Sequence, residues 1–486
     1  MAGLYFHIPF CKRVCAYCDF YKSADLRRMD DLLAAMHREL DDRRGYPGGE
    51  AVTTRYFGGG TPSLCTPEAI RGLLDHAARL FDCSGAEETT LEANPDDLTA
   101  EYLGGLLEAG IDRLSIGVQS FDDDCLKLMN RRHTAAQAAE AVRAAQRAGF
   151  GNITLDLIFG VPGFGGDTLR RSLDTALSLG VQHISAYHLT VEPDTAFGRR
   201  AAQGEFRAVD EQVSETEFLT VHETLTGAGF EHYEVSNFAL PGFRARHNAA
   251  YWHGAKYLGI GPAAHSFDGE ERHWNVGSVE RYIAGDPAER ELLTNRDRFN
   301  EYVMTALRTA EGIDTREVAA RFGTKRLERM REEAAPYLQS GALRDAGGRL
   351  AVPPERFLIS DAVIEALFVE NVCQDSHRRL YKLGVETLVG NPSLTFNRSL
   401  LNAAADKGRF LLQRQHRNGQ PVADGGLSHD IGLRKIQRIL RRDHNRHIQI
   451  FPSHKLLQPL ISLACRHFFT PPFKFYTTLP NAHSKA

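Results

Sequence analysis

Residues 7–20 read HIPFCKRVCAYCDF, and within them Cys11, Cys15 and Cys18 fall in the order C-x3-C-x2-C. Three thiolates at this spacing suit one corner of a cube: they ligate three irons of a [4Fe-4S] cluster and leave the fourth open to a small molecule. A zinc site asks for four ligands in two close pairs, and the chain has no second C-x2-C. The other cysteines (Cys65, Cys83, Cys125, Cys373 and Cys465) are scattered singly, with no secretory signal ahead of them. A disulfide framework is therefore not expected.

Outward from this loop, short apolar runs alternate with amphipathic stretches. The runs Leu4–Ile8, Thr54–Phe57, Thr89–Ala93, Arg113–Val118, Ile153–Phe159 and His183–Leu189 are rich in β-branched and aromatic residues and predict six strands. Segments such as LRRMDDLLAAMHREL and PEAIRGLLDHAARLF carry helical spacing, the second with Thr66 as N-cap and Pro67 at the first helical position. Strand-helix units in series give a parallel α/β sheet. A doubly wound sheet and a curved barrel both fit that alternation, and the placement of unusual residues favours the barrel. The cysteine loop, Gly58-Gly59-Gly60-Thr61-Pro62, Glu92, Gln119, Asp156 and Tyr187 all fall in or just after successive strands, toward the face where parallel barrels build their sites.

Each of these features has a chemical reading. A Gly-Gly-Gly turn lets a ligand's ammonium or carboxylate approach the main chain, or it is an ordinary tight turn. Glu92 is either a carboxylate for a ligand ammonium or a solvated strand-end acid. Gln119 and Arg131 offer an amide and a guanidinium to polar groups of a second ligand, although Arg132 and His133 beside Arg131 also fit a solvated basic turn. Asp156 sits inside an apolar strand, where an ionised carboxylate needs a partner. Farther on, His247, Tyr251, Trp252, His253 and Tyr257 accumulate within a short stretch after a Pro-Gly turn. That turn is expected to bring His247 and Tyr251 near the barrel mouth, where imidazole or phenolate would ligate a planar iron-bearing group and Trp252 would cover it. A satisfied core histidine is the alternative for any one of these positions.

Taken together, CKRVCAYC, GGGTPS, ANPDDLT, LSIGVQSF, DLIFGVPG, AYHLTVEP, HNAAYW and LGIGPAAHS resemble the radical S-adenosylmethionine (SAM) proteins of the oxygen-independent coproporphyrinogen oxidase group, from residue 3 to about residue 369. The resemblance implies a partial (β/α)6 barrel over residues 1–285 whose open cluster iron binds S-adenosylmethionine. Carried over, the matching positions are Tyr5, Gly59, Gly60, Thr61 and Glu92, while Tyr17, Gln119, Arg131 and Asp156 match a second S-adenosylmethionine site of the oxidase. The dehydrogenase branch has a further cysteine two residues after the third, where this chain has Phe20, and it carries a longer N-terminal segment. Both departures resemble a heme chaperone branch, implying heme as a further ligand, on His247 or Tyr251, and transfer to an acceptor protein such as a respiratory one. Many members of that branch place a cysteine where this chain has Ala245. The rivals are coproporphyrinogen III dehydrogenation in porphyrin biosynthesis and a nucleic-acid-associated radical enzyme.

Residues 286–369 resemble the group's small C-terminal α+β domain, with a winged-helix-like order of helices followed by the hairpin ALRDAGGRLAV. Its many acids count against DNA binding. The last stretch, 370–486, matches no family; residues 371–486 hold 18 Lys and Arg against 6 Asp and Glu in a chain of net charge −4. It is read as a basic tail of unknown structure. No apolar run reaches the roughly 20 residues of a membrane span, so a cytoplasmic protein is expected.

Overall fold

The computed structural model describes residues 2–369, and the expected basic tail lies outside the described residues. Six strands, β1 (Ala2–Ile8), β2 (Val52–Gly59), β3 (Glu88–Ala93), β4 (Arg113–Gln119), β5 (Ile153–Phe159) and β6 (His183–His188), lie on or within a few residues of the expected runs. Each pairs in parallel with the next. The spatial order 1-2-3-4-5-6 never reverses. Without a reversal, every right-handed crossover puts its helix on the same face, so the sheet curls as a barrel does and has no switch point in the middle.

The crossovers carry α1 (Met29–Asp42), α2 (Pro67–Leu80), α3 (Ala100–Ala109), α4 (Asp123–Leu128), α5 (Ala135–Ala148) and α6 (Asp167–Ser178). Their apolar stripes cover the outward residues of the strands: Leu4, Phe6 and Ile8 share one core with Leu32, Met36 and Leu40 of α1 and Ile70 and Leu73 of α2. Thr66 caps α2 as expected, its Oγ1 accepting from the Ala69 N–H at 3.3 Å. Such a cap contributes about 1 kcal/mol. Because side chains alternate along a strand, the inward positions are the polar ones, among them Tyr5, Tyr56, Glu92, Ser115, Asp156 and Ser185.

The barrel stays open. After α7 (Ala196–Ala202) and α8 (Glu211–Gly227), the antiparallel pair β7 (Glu231–Glu234) and β8 (Asn237–Ala239) extends the sheet beyond β6. Beyond α9 (Arg246–Trp252), β9 (Lys256–Ile260) runs parallel to β1, followed by the antiparallel β10 (His265–Phe267), β11 (Glu271–Trp274) and β12 (Glu289–Leu292). The last strand of the large sheet is therefore Glu289–Leu292.

The helices expected after residue 295 form at Asn295–Ala306, Thr315–Phe322, Thr324–Gln339 and Ser360–Leu367, and the expected hairpin pairs Arg344–Ala346 with Arg349–Ala351. Ile313–Asp314 completes a three-stranded sheet. An ion pair at 2.5 Å joins Arg308, just beyond the first of these helices, to Asp361 in the last. Among the described residues no helix is long and apolar enough to cross a membrane.

Candidate functional site

The loop after β1 turns back on itself, with Ser23 N donating to Pro9 O at 2.8 Å and Cys11 N to Ser23 O at 3.0 Å. It holds Cys11, Cys15 and Cys18 over the carboxyl ends of the strands, where all three line one cleft. Burial pushes the Cys11 thiol up, against the pull of the Thr61 hydroxyl, which donates to its sulfur at 3.4 Å. Cys18 is pushed by burial to about 11, with Lys22 pulling the other way. Arg131 donates to Cys15 Sγ at 3.3 Å. The loop therefore places a donor or a cation beside each thiol, which is what thiolate ligation needs.

The donor set fits a cluster better than one ion. The three sulfurs do not all lie within 4.8 Å of one another, whereas cysteines sharing a tetrahedral zinc ion would sit about 3.8 Å apart, given Zn–S bonds of about 2.3 Å. Among the described residues the other cysteines are engaged elsewhere. Cys65 is buried against Met29, and Cys125 lies in a second small core with Leu126 and Phe197. Cys373 and Cys465 lie outside the described residues.

Of the expected ligand residues, Tyr17, Gly59, Gly60, Thr61, Glu92, Gln119, Arg131 and Asp156 line the same cleft, together with Asn94, Ser115, Tyr187 and His188. The cleft has a volume of about 210 Å³ and opens to solvent. Tyr5 does not line it. Its inward side chain sits one layer deeper, with its hydroxyl on His7 Nδ1 at 3.1 Å.

The amides of the glycine turn are engaged within the protein: Gly59 N donates to Glu92 Oε2 at 3.1 Å and Gly60 N to Ile8 O at 2.8 Å. The glycines also serve close packing. A Cβ on Gly60 would lie 2.6 Å from the Pro9 carbonyl carbon, and one on Gly59, at φ +112°, would lie 2.7 Å from the His7 ring. Missing side chains are what let the cysteine loop lie down on β2.

Glu92 is the central acid. Burial pushes it up to about 7, with Asp156 adding to the rise and the Tyr56 hydroxyl (2.8 Å) and Gly59 amide pulling down. Asp156 is likewise raised by burial, and Ser115 donates to it at 3.1 Å. Tyr56 and Ser115 escaped the sequence reading because nothing but strand alternation marks them as inward. Gln119 has φ 69°, a left-handed backbone on a non-glycine residue, at a register shift in β4; strain of this kind concentrates at functional sites. Arg131 is no solvated turn residue. Its guanidinium reaches Asn94 Oδ1 at 2.7 Å and the Gly117 carbonyl besides Cys15, bracing the cysteine loop against the ends of β3 and β4.

The histidine-tyrosine pair requires a larger correction, because α9 enters the barrel at the end opposite the mouth. His247 lies against Gly3 and Thr54, near the start of β1 and β2, and its ring stacks on Tyr56 at 5.0 Å. Its Nδ1 meets Thr54 Oγ1 at 2.9 Å, its Nε2 meets the Tyr251 hydroxyl at 2.7 Å, and its N–H donates to Glu88 at 2.9 Å. With both ring nitrogens engaged and only 1% of its surface exposed, His247 is a floor residue of the barrel. Burial lowers its pKa to about 3, so it stays neutral. Ala245, just before it, is also fully buried.

A consecutive parallel half-barrel with three cysteines on its first loop defines the class. Residues 5–176 match the model of the radical SAM superfamily, and residues 293–358 match the HemN C-terminal domain. Coproporphyrinogen III oxidase (HemN) from Escherichia coli, described as a radical SAM enzyme, superposes with a TM-score of 0.66 at 22% identity, covering 75% of this chain and 89% of its own; that likeness shows the fold. The heme chaperone HemW of Mycobacterium tuberculosis is 38% identical over 375 residues, covering 75% of this chain and 94% of its own. The HemW of Bacillus subtilis is 36% identical over 331 residues, covering 66% and 87%. The chain belongs to the HemW family of heme chaperones.

Proposed function

We propose that the chain holds a [4Fe-4S] cluster on Cys11, Cys15 and Cys18, binds S-adenosylmethionine in the adjoining cleft, and binds heme for transfer to an acceptor protein. The observation that carries this reading is the meeting of three cysteines, Glu92 and the glycine turn at one cleft. The relatives named as heme chaperones support the choice among the activities such a cleft hosts. Once bound, the cluster supplies an open iron able to ligate and reduce a small molecule. The protein's own part is positional. Thr61 and Arg131 hold the thiolates, Glu92 and Asp156 offer carboxylates to the amino end of S-adenosylmethionine, and Gln119 and Asn94 offer amides to its polar groups.

The division into a barrel unit and a HemN-type C-terminal unit is part of the same proposal. Dehydrogenation of coproporphyrinogen III is the competing activity. Anaerobically reconstituted protein incubated separately with heme and with coproporphyrinogen III decides between them. Stoichiometric heme binding, seen as a Soret band surviving gel filtration, without decarboxylation is expected. Robust formation of protoporphyrinogen IX would overturn the chaperone reading.

A further inference from the structure

Away from the cleft, on the outer wall of the barrel, α1 and α2 bring two imidazoles together. His37 of α1 and His76 of α2 are both half-buried, with ring centroids 5.0 Å apart and planes 27° from parallel. The Nδ1 of one stands 2.8 Å from the Nδ1 of the other. Asp41, one turn on from His37, holds the far side of the second ring, its Oδ1 3.0 Å from His76 Nε2. A carboxylate only accepts, so His76 carries its proton on Nε2 and turns a bare Nδ1 lone pair toward His37. His37 Nδ1 then supplies the single proton that the two nitrogens share. Burial lowers the pKa of His37, His76 and Arg79 add to the fall, and Asp41 opposes it. The pair therefore resists a second proton.

An imidazole whose outer N–H is held by a carboxylate is the arrangement that metal-ligating histidines adopt, because it fixes the tautomer and raises the basicity of the inner nitrogen. The separation also suits ligation. Two nitrogens on adjacent corners of a square or octahedron, at bonds of about 2.0–2.1 Å, stand about 2.9 Å apart, whereas a tetrahedral zinc ion would spread them to about 3.4 Å. We propose that His37 and His76 form a site for a divalent transition-metal ion of right-angle geometry, such as nickel(II), bound through both Nδ1 atoms, with Asp41 steadying His76 and water completing the shell. On binding, the His37 proton moves from Nδ1 to Nε2, so the neutral pair releases none. The ion would fasten α1, which follows the cysteine loop, to α2, which follows the glycine turn. Asp268, Glu271 and His273 also bring ligand atoms within 4.8 Å of one another. That group holds one imidazole rather than two, its Glu271 already pairs with His273 at 3.1 Å, and it serves as the control.

The test is calorimetric titration of the anaerobically reconstituted full chain with nickel(II), run beside His37→Gln, His76→Gln, Asp41→Asn and His273→Gln, each checked for folding by circular dichroism. Both of the first two variants should lose one equivalent of nickel. Asp41→Asn should weaken that equivalent about tenfold, the scale of a lost carboxylate behind a ligand, and His273→Gln should leave it intact. Nickel should also raise the unfolding temperature of the wild type and not that of His37→Gln or His76→Gln. Wild-type nickel binding that survives in both His37→Gln and His76→Gln, or that is lost in His273→Gln instead, overturns the site. A wild type that takes up no nickel overturns it as well.

Discussion

Replacing His247 by Ala distinguishes a floor residue from a heme ligand. The change removes a ring with 1% of its surface exposed and strands two hydroxyls that it serves, those of Thr54 and Tyr251. Thr54 is itself buried, so its hydroxyl faces most of the penalty for an unsatisfied polar group, about 1–3 kcal/mol. Tyr251 is half-buried and recovers part of its loss from water. Loss of the stacking on Tyr56 adds about 0.5–1.5 kcal/mol. Allowing for the non-additivity of neighbouring terms, the expected destabilisation is about 2–4 kcal/mol. Equilibrium urea unfolding should report it as a lower midpoint with an unchanged slope. His247→Gln, which keeps a donor and an acceptor, should recover part of it. Heme affinity of the folded variant should stay close to that of the wild type. A stability loss under about 1 kcal/mol together with abolished heme binding would refute this assignment and return His247 to the role of ligand.

Other outcomes follow from the same geometry. Cys11→Ala, Cys15→Ala and Cys18→Ala should each lose most of the iron and sulfide, whereas Cys65→Ala and Cys125→Ala, buried away from the cleft, should keep them; equal loss in the second group would end the ligand assignment. Glu92, at about 7 in the ligand-free protein, goes from about 9% to about 91% ionised between pH 6 and 8, so S-adenosylmethionine should bind about tenfold tighter at pH 8. That gain is measured relative to Glu92→Gln, which cancels the ligand's own titration, and equal pH slopes in the two proteins would exclude the role. His7, His133, His232, His247 and His265 are all lowered to about 3 or 4, chiefly by burial. The unfolded chain takes up these protons first, so stability should fall as pH drops below about 6.5 and continue falling to about 3; a flat profile over that window would contradict their burial as neutral rings. Arg308→Ala should cost about 3–5 kcal/mol by leaving Asp361 buried without its partner, read by thermal unfolding.

Local chemistry explains what was legible in the chain. The spacing of Cys11, Cys15 and Cys18 brings three sulfurs to one short loop whatever surrounds it, so their meeting at one cleft was readable without a fold. Strand alternation gave the six strands because the outer face must be apolar under its helices, and Thr66-Pro67 marked the start of α2 because a cap acts within one turn. Even the barrel was legible, since the special residues recur at strand ends. What tertiary structure alone decided was which groups are already engaged. The Gly59 and Gly60 amides looked available until Glu92 and the Ile8 carbonyl were seen to take them. Arg131 looked like a solvated turn until Asn94, Gly117 and Cys15 gathered around it. His247 and Tyr251 looked like mouth residues because a Pro-Gly turn reports that the chain reverses but not which end of the barrel it enters. That end is set by packing between segments nearly two hundred residues apart, His247 against Thr54, a relation that no local pattern encodes.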